Sequence, residues 1–251
     1  NLPNVAGTTE AILSLGAVGV MDDVLKLRAS NATGLKCRPK LLAALVVGGG
    51  VGVMSSSPEL GYQRVVVPWL GSSLELGWWW VPLAALIVAG SAHAVNLTDG
   101  MDGLASGCLA LAFGALGLYA ALERGQGLVA VWCASLAGSC VGFLWFNSAP
   151  ASVFLGDVGA LSLGAALGVL ALLAHAALGL VILGGIFVAE ALSVMLQVAS
   201  YRWRNHHRIF RVAPLHHHFQ LGGVAESKLV VRFWIIGLVL AALGFSALSH
   251  S

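Results

Sequence analysis

A short polar segment between two long apolar runs carries the side chains best suited to chemistry. Asn96, Asp99 and Asp102 are spaced by three, and residues three apart share one face of a helical turn. Two neighbouring carboxylates in an apolar setting repel each other unless a counterion is present. Carboxylate oxygens are ligands for hard divalent cations such as Mg²⁺. The segment therefore predicts a cation site, and Gly100 and Gly103 would let backbone and ligand approach closely.

Two further segments add short carboxylates. The pair Asp22 and Asp23 precedes Lys26 by four and three residues, so this ammonium group can pair with either acid or with a substrate phosphate. Asp157 lies among glycines, a setting with little steric cover that suits a metal ligand. Helix capping, worth about 0.5–2 kcal/mol, is the alternative explanation for an Asp near a helix start. It would account for Asp157 alone but not for the adjacent pair.

Three consecutive histidines, His216, His217 and His218, follow a stretch rich in arginine. In a helix, consecutive side chains fan out by about 100° each, so the three imidazoles are poorly placed to hold one metal ion. We expect one or two of them to bind phosphate or sugar while the third packs. The alternative is a solvated basic loop attached to anionic lipid.

The composition indicates whether these segments fold in water or in a membrane. Of the 251 residues, 58% are hydrophobic and 10% are charged, whereas soluble domains carry about 25% charged residues. The apolar runs are continuous rather than alternating, which favours helices over a membrane barrel. The sequence predicts an all-α, polytopic integral membrane protein whose surroundings are the lipid bilayer, with no nucleic-acid partner. The four cysteines form no CxxC pair, so neither a zinc site nor a disulfide is expected.

Eight apolar runs approach the length of about 20 residues that a spanning helix needs. They are residues 5–21, 41–55, 77–95, 103–121, 127–146, 158–174, 178–200 and 229–248. We expect residues 1–251 to form a single membrane-embedded domain. With eight spans, eleven of the thirteen Lys and Arg residues fall on one side, which the positive-inside rule makes cytoplasmic. All five aspartates fall at that same face, and this predicts that the acidic segments form one site.

Metal-assisted phosphoryl transfer uses clustered carboxylates beside basic residues. The sequence predicts both at one membrane face, which favours this chemistry. The nucleotide loop GxxxxGK[ST] is absent from the sequence, which argues against an ATP-driven pump. A secondary transporter is the alternative from another class. Transporters place ionisable residues near the membrane midplane and commonly contain repeats, and this sequence has no internal repeat.

The chain resembles the phospho-N-acetylmuramoyl-pentapeptide transferases, bacterial enzymes that make the first lipid-linked peptidoglycan intermediate. The segments that carry the resemblance are MDDVLK at 21–26, NLTDGMDGLA at 96–105, GFLWFNSAPASVFLGDVGALSLG at 142–164, EALSVMLQV at 190–198, RIFRVAPLHHHFQLGG at 208–223 and VRFW at 231–234. They extend over essentially the whole chain. The triple histidine distinguishes this family from transferases of N-acetylglucosamine-1-phosphate, which share the aspartate motifs and use UDP-GlcNAc. Those relatives are the nearest alternative.

The resemblance implies a ten-span enzyme of the bacterial inner membrane whose active site faces the cytoplasm. Such an enzyme transfers phospho-MurNAc-pentapeptide from UDP-MurNAc-pentapeptide to undecaprenyl phosphate, releases UMP and forms lipid I, with Mg²⁺ as cofactor. The resemblance also allows a homodimer. Because this sequence has eight apolar runs, we expect the family's first two spans to lie upstream of Asn1.

The resemblance also implies roles for individual residues. Asp157 matches the Mg²⁺ ligand, with Asp99 as a second candidate for the metal. Together with Asp157, the acidic pair Asp22 and Asp23 matches the catalytic residues, which deprotonate or position the lipid phosphate. The implied substrate contacts are Asn96, Asp99, Asp102, Asn147, Phe154, Gln197, His216, His217 and Lys40, with Phe154 stacking on uracil and Lys40 on the uridine side.

Two reaction pathways are open. In one, a carboxylate attacks the sugar-linked phosphate, and the lipid then displaces the resulting acyl-phosphate. In the other, the lipid phosphate attacks directly, with Asp22 or Asp23 as base. We favour direct attack as a hypothesis, because the lipid phosphate is already a nucleophile and phosphoryl transfer needs mainly positioning and charge stabilisation.

Overall fold

A computed structural model describes residues 2–28, 34–56 and 63–249, and this part of the chain is almost entirely helical. The helices are α1 (Leu2–Arg28), α2 (Cys37–Met54), α3 (Trp80–Thr98), α4 (Leu104–Leu122), α5 (Gly127–Asn147), α6 (Gly156–Leu173), α7 (Leu180–Leu183), α8 (Gly185–Trp203), α9 (Leu215–Gln220) and α10 (Glu226–Ser249). The all-α membrane class predicted from composition is confirmed. The expectation about segments upstream of Asn1 lies outside the described residues.

The eight predicted spans correspond to the eight longest of these helices. Six of them, α2 to α6 and α10, are long and apolar enough to cross a membrane by length and composition, so the count of eight is approximate. The other two, α1 and α8, carry acids and other polar side chains within their length. The seventh predicted span, 178–200, is not one helix. It is divided at Gly184 into the four-residue α7 and the longer α8.

One short sheet interrupts the all-helical pattern. Strands β1 (Arg64–Val67) and β2 (Ser72–Glu75) pair antiparallel, and Arg64 lies opposite Glu75. The two side chains form an exposed ion pair, with Arg64 Nη2 2.7 Å from Glu75 Oε1. A 3₁₀ turn (Gly77–Trp79) then leads into α3. The hairpin lies in the connection between α2 and α3.

Small residues let three helices approach closely at α6. A Cβ atom placed on Gly164 of α6 would lie 2.7 Å from the Cα of Ala92 in α3. On the other side, a Cβ placed on Gly19 of α1 would lie 2.5 Å from the Cα of Val158. Glycine permits such backbone contact between membrane helices. As a result, the last turns of α1 and α3 both lie against the first turn of α6.

Candidate active site

Three carboxylates meet where α1 and α6 touch. Asp22, Asp23 and Asp157 each offer an oxygen, and these oxygens all lie within 4.8 Å of one another. Asp22 is completely buried, whereas Asp23 is about one-third exposed. The Val158 N–H donates to Asp23 Oδ2 at 3.2 Å, which connects the two helices directly. An all-oxygen set of this kind has the chemistry of a Mg²⁺ site, so the residues present fit a hard divalent cation.

Two lysines hold these carboxylates together. Lys26 Nζ lies 2.6 Å from Asp22 Oδ2 and 3.1 Å from Asp157 Oδ1. Lys40 Nζ lies 2.8 Å from Asp157 Oδ2 and 3.3 Å from Asp22 Oδ2. Without these ammonium groups, three crowded negative charges would repel one another. Lys40, predicted as a contact on the uridine side, therefore lies inside the acidic cluster, because α2 runs beside α1 and carries its side chain there.

The segment that predicted a cation site supplies one neighbour of this cluster. Asn96, in the last turn of α3, donates from Nδ2 to Asp157 Oδ1 at 2.9 Å. The expectation that Asn96, Asp99 and Asp102 share one helical face is wrong, because α3 ends at Thr98. The two aspartates lie in the turn between α3 and α4.

Asp99 and Asp102 make contacts of different kinds. Asp99 accepts a hydrogen bond from the backbone N–H of Gly156, and burial raises its pKa from 3.8 to about 7. Asp102 Oδ2 accepts the N–H of Ala151 at 2.9 Å, which fixes the segment before α6. Among the described residues, neither aspartate belongs to the group that could hold a metal ion. The grouping therefore does not support the prediction of Asp99 as a metal ligand.

A cleft of about 280 Å³ opens over the cluster. It is lined by Asp23, Lys26, Asp99, Gly100, Met101, Asp102, Asn147, Phe154, Gly156 and Asp157. Phe154 is 71% exposed, so one ring face is available for a planar base. Buried Asn147 is already engaged, since its Oδ1 accepts from Ser106 at 2.7 Å and its Nδ2 donates to Val153 O at 3.0 Å. Asn147 thus anchors the segment that carries Phe154.

The three histidines have different surroundings, although the rings of His216 and His217 lie only 4.2 Å apart between centroids. They lie in α9, where His216 is completely buried while His217 and His218 are partly exposed. His217 Nδ1 lies 3.1 Å from Gln220 Oε1, and His218 Nδ1 accepts the N–H of Arg211 at 3.1 Å. His218 also packs edge-on against Phe210 and Phe219. The third histidine is therefore the packing residue.

Gln197 does not reach the cleft. Its Oε1 accepts the N–H groups of Ile209 and Phe210, both at 3.0 Å, and its Nε2 donates to Phe210 O at 3.0 Å. The amide thus folds the connection after α8 back onto that helix. Gln197 lines a separate pocket that also contains Arg202, Arg208 and Arg211.

The predicted set of site residues did not include Lys26, Glu190 or Glu226. Glu226 Oε1 accepts the N–H of Asp102 at 3.2 Å, although the two residues are 124 positions apart. Nothing local in the sequence marks Glu226 for this contact. The position of Lys26 four residues after Asp22 and the location of Glu190 inside an apolar helix are signals that the sequence does contain.

An apolar groove runs along α3. It has a volume of about 230 Å³ and lies between α3, α6, α7 and α8. On α3 its lining ends with Ala94 and Val95, which directly precede Asn96 and its bond to Asp157. Asp157 is the second residue of α6, and Asp22 and Asp23 lie in the last two turns of α1, so these carboxylates are away from the middle of their helices. This arrangement differs from the midplane site of a transporter.

Comparisons with known proteins find relatives over most of the chain. The family model described as glycosyl transferase family 4 matches residues 5–175. A protein of Thermodesulfovibrio yellowstonii named phospho-N-acetylmuramoyl-pentapeptide-transferase is 45% identical over 95% of this chain and 71% of its own length. Proteins of the same name from Solidesulfovibrio magneticus and Pelobacter propionicus are 44% and 43% identical, over 96% and 94% of this chain and 72% and 70% of their own lengths.

Proposed function

The chain belongs to glycosyl transferase family 4 and to the phospho-N-acetylmuramoyl-pentapeptide transferases, and from this premise we propose the reaction that its cleft performs. The enzyme is a phosphoglycosyl transferase that moves phospho-MurNAc-pentapeptide from UDP-MurNAc-pentapeptide to undecaprenyl phosphate. UMP leaves and lipid I forms. The observation that carries the proposal is the meeting of Asp22, Asp23 and Asp157 under a cleft that also exposes Phe154.

The acidic cluster is the proposed site of Mg²⁺. Asp22, Asp23 and Asp157 would hold the ion, because their oxygens already converge within 4.8 Å and hard cations prefer oxygen ligands. When bound, Mg²⁺ would supply positive charge that offsets the negative charge developing during transfer. Lys26 pairs with Asp22 and Asp157 in this structure. It is 40% exposed at the cleft, and once a bound cation neutralises these acids it could turn towards a phosphate oxygen.

The apolar groove is the proposed binding site of the polyprenyl chain. A hydrocarbon chain gains free energy from a lining of Leu, Val, Ala and Phe side chains. With its chain beside α3 and α8, the lipid would bring its phosphate to the end of α3, next to Asn96. The nucleotide would approach from the cleft, with uracil stacked on Phe154.

Direct attack by the lipid phosphate fits this arrangement. One of its oxygens forms a bond to the sugar-linked phosphorus while the bond from that phosphorus to the UMP oxygen breaks, and the electron pair leaves with UMP. Asp23 lines the cleft and is partly exposed. Asp22 is buried, and its oxygens face Lys26, Lys40 and the N–H of Leu35. Asp23 is thus the better placed of the two to take a proton from the lipid phosphate.

The test is a transfer assay with matched donors. We expect UMP release and a lipid-linked product from UDP-MurNAc-pentapeptide and undecaprenyl phosphate in the presence of Mg²⁺, and little of either from UDP-GlcNAc. Asp157→Asn should lower turnover by at least about 100-fold, because it removes a carboxylate that both lysines and the metal site use. Preference for UDP-GlcNAc would identify the N-acetylglucosamine-1-phosphate reaction instead. Near-normal activity of Asp157→Asn would contradict the proposed metal site.

A further inference from the structure

Glu190 is a buried acid that the proposed reaction does not use. It lies in α8, and its side chain has no exposed surface. Its oxygens Oε1 and Oε2 lie 3.2 and 3.4 Å from the backbone nitrogen of His216, which donates to them. An ionisable group buried within an apolar helix is costly. Its presence therefore calls for a specific partner, and the partner in contact with it is His216.

The imidazole of His216 faces Glu190 with one nitrogen and the cleft wall with the other. Nδ1 lies 3.3 Å from Glu190 Oε2 but without the alignment of a hydrogen bond. Nε2 has no hydrogen-bond partner among the described residues. A Cβ placed on Gly100 would lie only 2.3 Å from Nε2, so this nitrogen points directly at Gly100. Because Gly100 lines the cleft, this buried nitrogen without a hydrogen-bond partner lies directly behind the cleft wall.

We propose that Glu190 is a positioning residue that acts through His216, presenting Nε2 to a phosphate oxygen of the substrate at the Gly100 edge of the cleft. The inference rests on the proposed function, which supplies the phosphate. A carboxylate opposite Nδ1 favours the ring forms that carry a proton on Nδ1. In the doubly protonated ring Nε2–H donates to an ionised phosphate oxygen, whereas in the neutral ring the Nε2 lone pair accepts from a protonated phosphate oxygen.

The same contacts explain how this imidazole keeps its place. Glu190 connects α8 to the first turn of α9, because it accepts a hydrogen bond from the His216 N–H. The rings of His216 and His217 lie 4.2 Å apart between centroids, and both reach Gly100. A side chain at position 100 would displace them. The glycine therefore permits the imidazoles to pack against the turn that carries Asp99 and Asp102.

A double-mutant cycle tests whether Glu190 acts through His216. We expect Glu190→Gln to lower kcat by roughly 10- to 100-fold, as for other side chains that orient a functional histidine, with a smaller change in KM for the UDP-sugar. If the effect passes through the imidazole, Glu190→Gln should cost nothing further in a His216→Ala background. Losses that multiply in the double variant would overturn the proposal.

Ser193→Ala is the matched control. Ser193 is buried one turn further along α8 and donates only to the backbone oxygen of Glu190, so its loss should change kcat by less than about twofold. If Glu190→Gln behaves like Ser193→Ala, the proposal fails. If the wild-type protein makes no lipid-linked product at all, the proposed function fails instead, whatever Glu190 does.

A second measurement covers the case in which Glu190→Gln does not fold. Nitrogen-15 NMR of histidine-labelled wild-type protein, with the His216 signals assigned by loss in His216→Gln, reports which ring nitrogen carries the proton. We expect a protonated Nδ1. A neutral ring protonated only at Nε2 would overturn the proposal.

Discussion

Asp22 and Asp23 are neighbours in the chain but have opposite surroundings. Asp22 is completely buried, and Lys26 Nζ and Lys40 Nζ lie 2.6 and 3.3 Å from its Oδ2. Asp23 is partly exposed at the cleft, and its Oδ2 accepts the N–H of Val158. The first therefore has the contacts of a residue that holds the cluster together, and the second has the access that a reacting group requires.

The two aspartates should respond differently to removal of their charge. Asp22→Asn leaves Lys26 and Lys40 facing a buried amide, so we expect a lower thermal midpoint and a loss of roughly 1–3 kcal/mol in stability. Asp23→Asn should leave the thermal midpoint within a few degrees of wild type but abolish most turnover. Thermal unfolding in detergent and the transfer assay measure the two effects. Equal midpoints for both variants would contradict this division of roles.

At the scale of helices, the site depends on how closely α1 and α3 approach α6. Gly19 and Gly164 remove the side chains that would separate these backbones. The resulting contacts bring the last turns of α1 and α3 to the first turn of α6. Asp157 lies there between Lys26 from α1 and Asn96 from α3. Helix packing therefore sets the distances between the carboxylates.

A methyl group at that contact should open the site. Gly19→Ala would place a Cβ 2.5 Å from Val158 Cα, which forces α1 away from α6. We expect at least a tenfold loss of turnover and weaker activation by Mg²⁺, read from rates across a Mg²⁺ titration, because a misplacement of about 1 Å can cost about 100-fold.

The control for that change lies one turn earlier on the same helix. Gly16→Ala would place a Cβ 3.7 Å from Ser162 Cβ, an ordinary contact distance. This variant should retain wild-type turnover and Mg²⁺ activation. If both alanine variants behave alike, the close approach of α1 and α6 does not position the carboxylates.

At the scale of the whole molecule, the polar site lies at one end of a mostly apolar bundle. In the part of the chain that the structure describes, six helices have the length and composition of membrane spans. The apolar groove runs along α3 as far as Val95, which directly precedes Asn96. In the proposed reaction the lipid would occupy this groove while the nucleotide enters from the cleft. Eleven of the thirteen Lys and Arg residues are expected on the side of the site, and the positive-inside rule predicts that this side faces the cytoplasm.

A native cysteine tests that orientation. Of the four cysteines, Cys37 is exposed at the start of α2, three residues before Lys40, while Cys108, Cys133 and Cys140 are buried. A membrane-impermeant maleimide should label the protein in inside-out vesicles and leave it unlabelled in intact spheroplasts. Cys37→Ser should remove the labelling. Labelling from the outside in intact cells would contradict a cytoplasmic site.

The sequence alone determined the properties that depend on local composition and on recognisable segments. Continuous apolar runs predicted the all-α membrane class, and their bounds approximate those of the long helices. The aspartates were singled out because a charge without a partner in an apolar chain is energetically costly. Six of the predicted site residues line one cleft: Asp23, Asp99, Asp102, Asn147, Phe154 and Asp157. The family followed from the segments that contain them.

Only the tertiary structure decided which of these side chains meet. Asp22 and Asp157 are 135 positions apart, and no local pattern reveals that Lys40 lies between them. No local pattern reveals either that the Gln197 amide is hydrogen-bonded to the backbone of the connection after α8. Partners of this kind are set by helix packing, which depends on small residues along the whole interface. Sequence spacing reports only contacts within one element, whereas charge pairing and burial between elements exist only in the packed bundle.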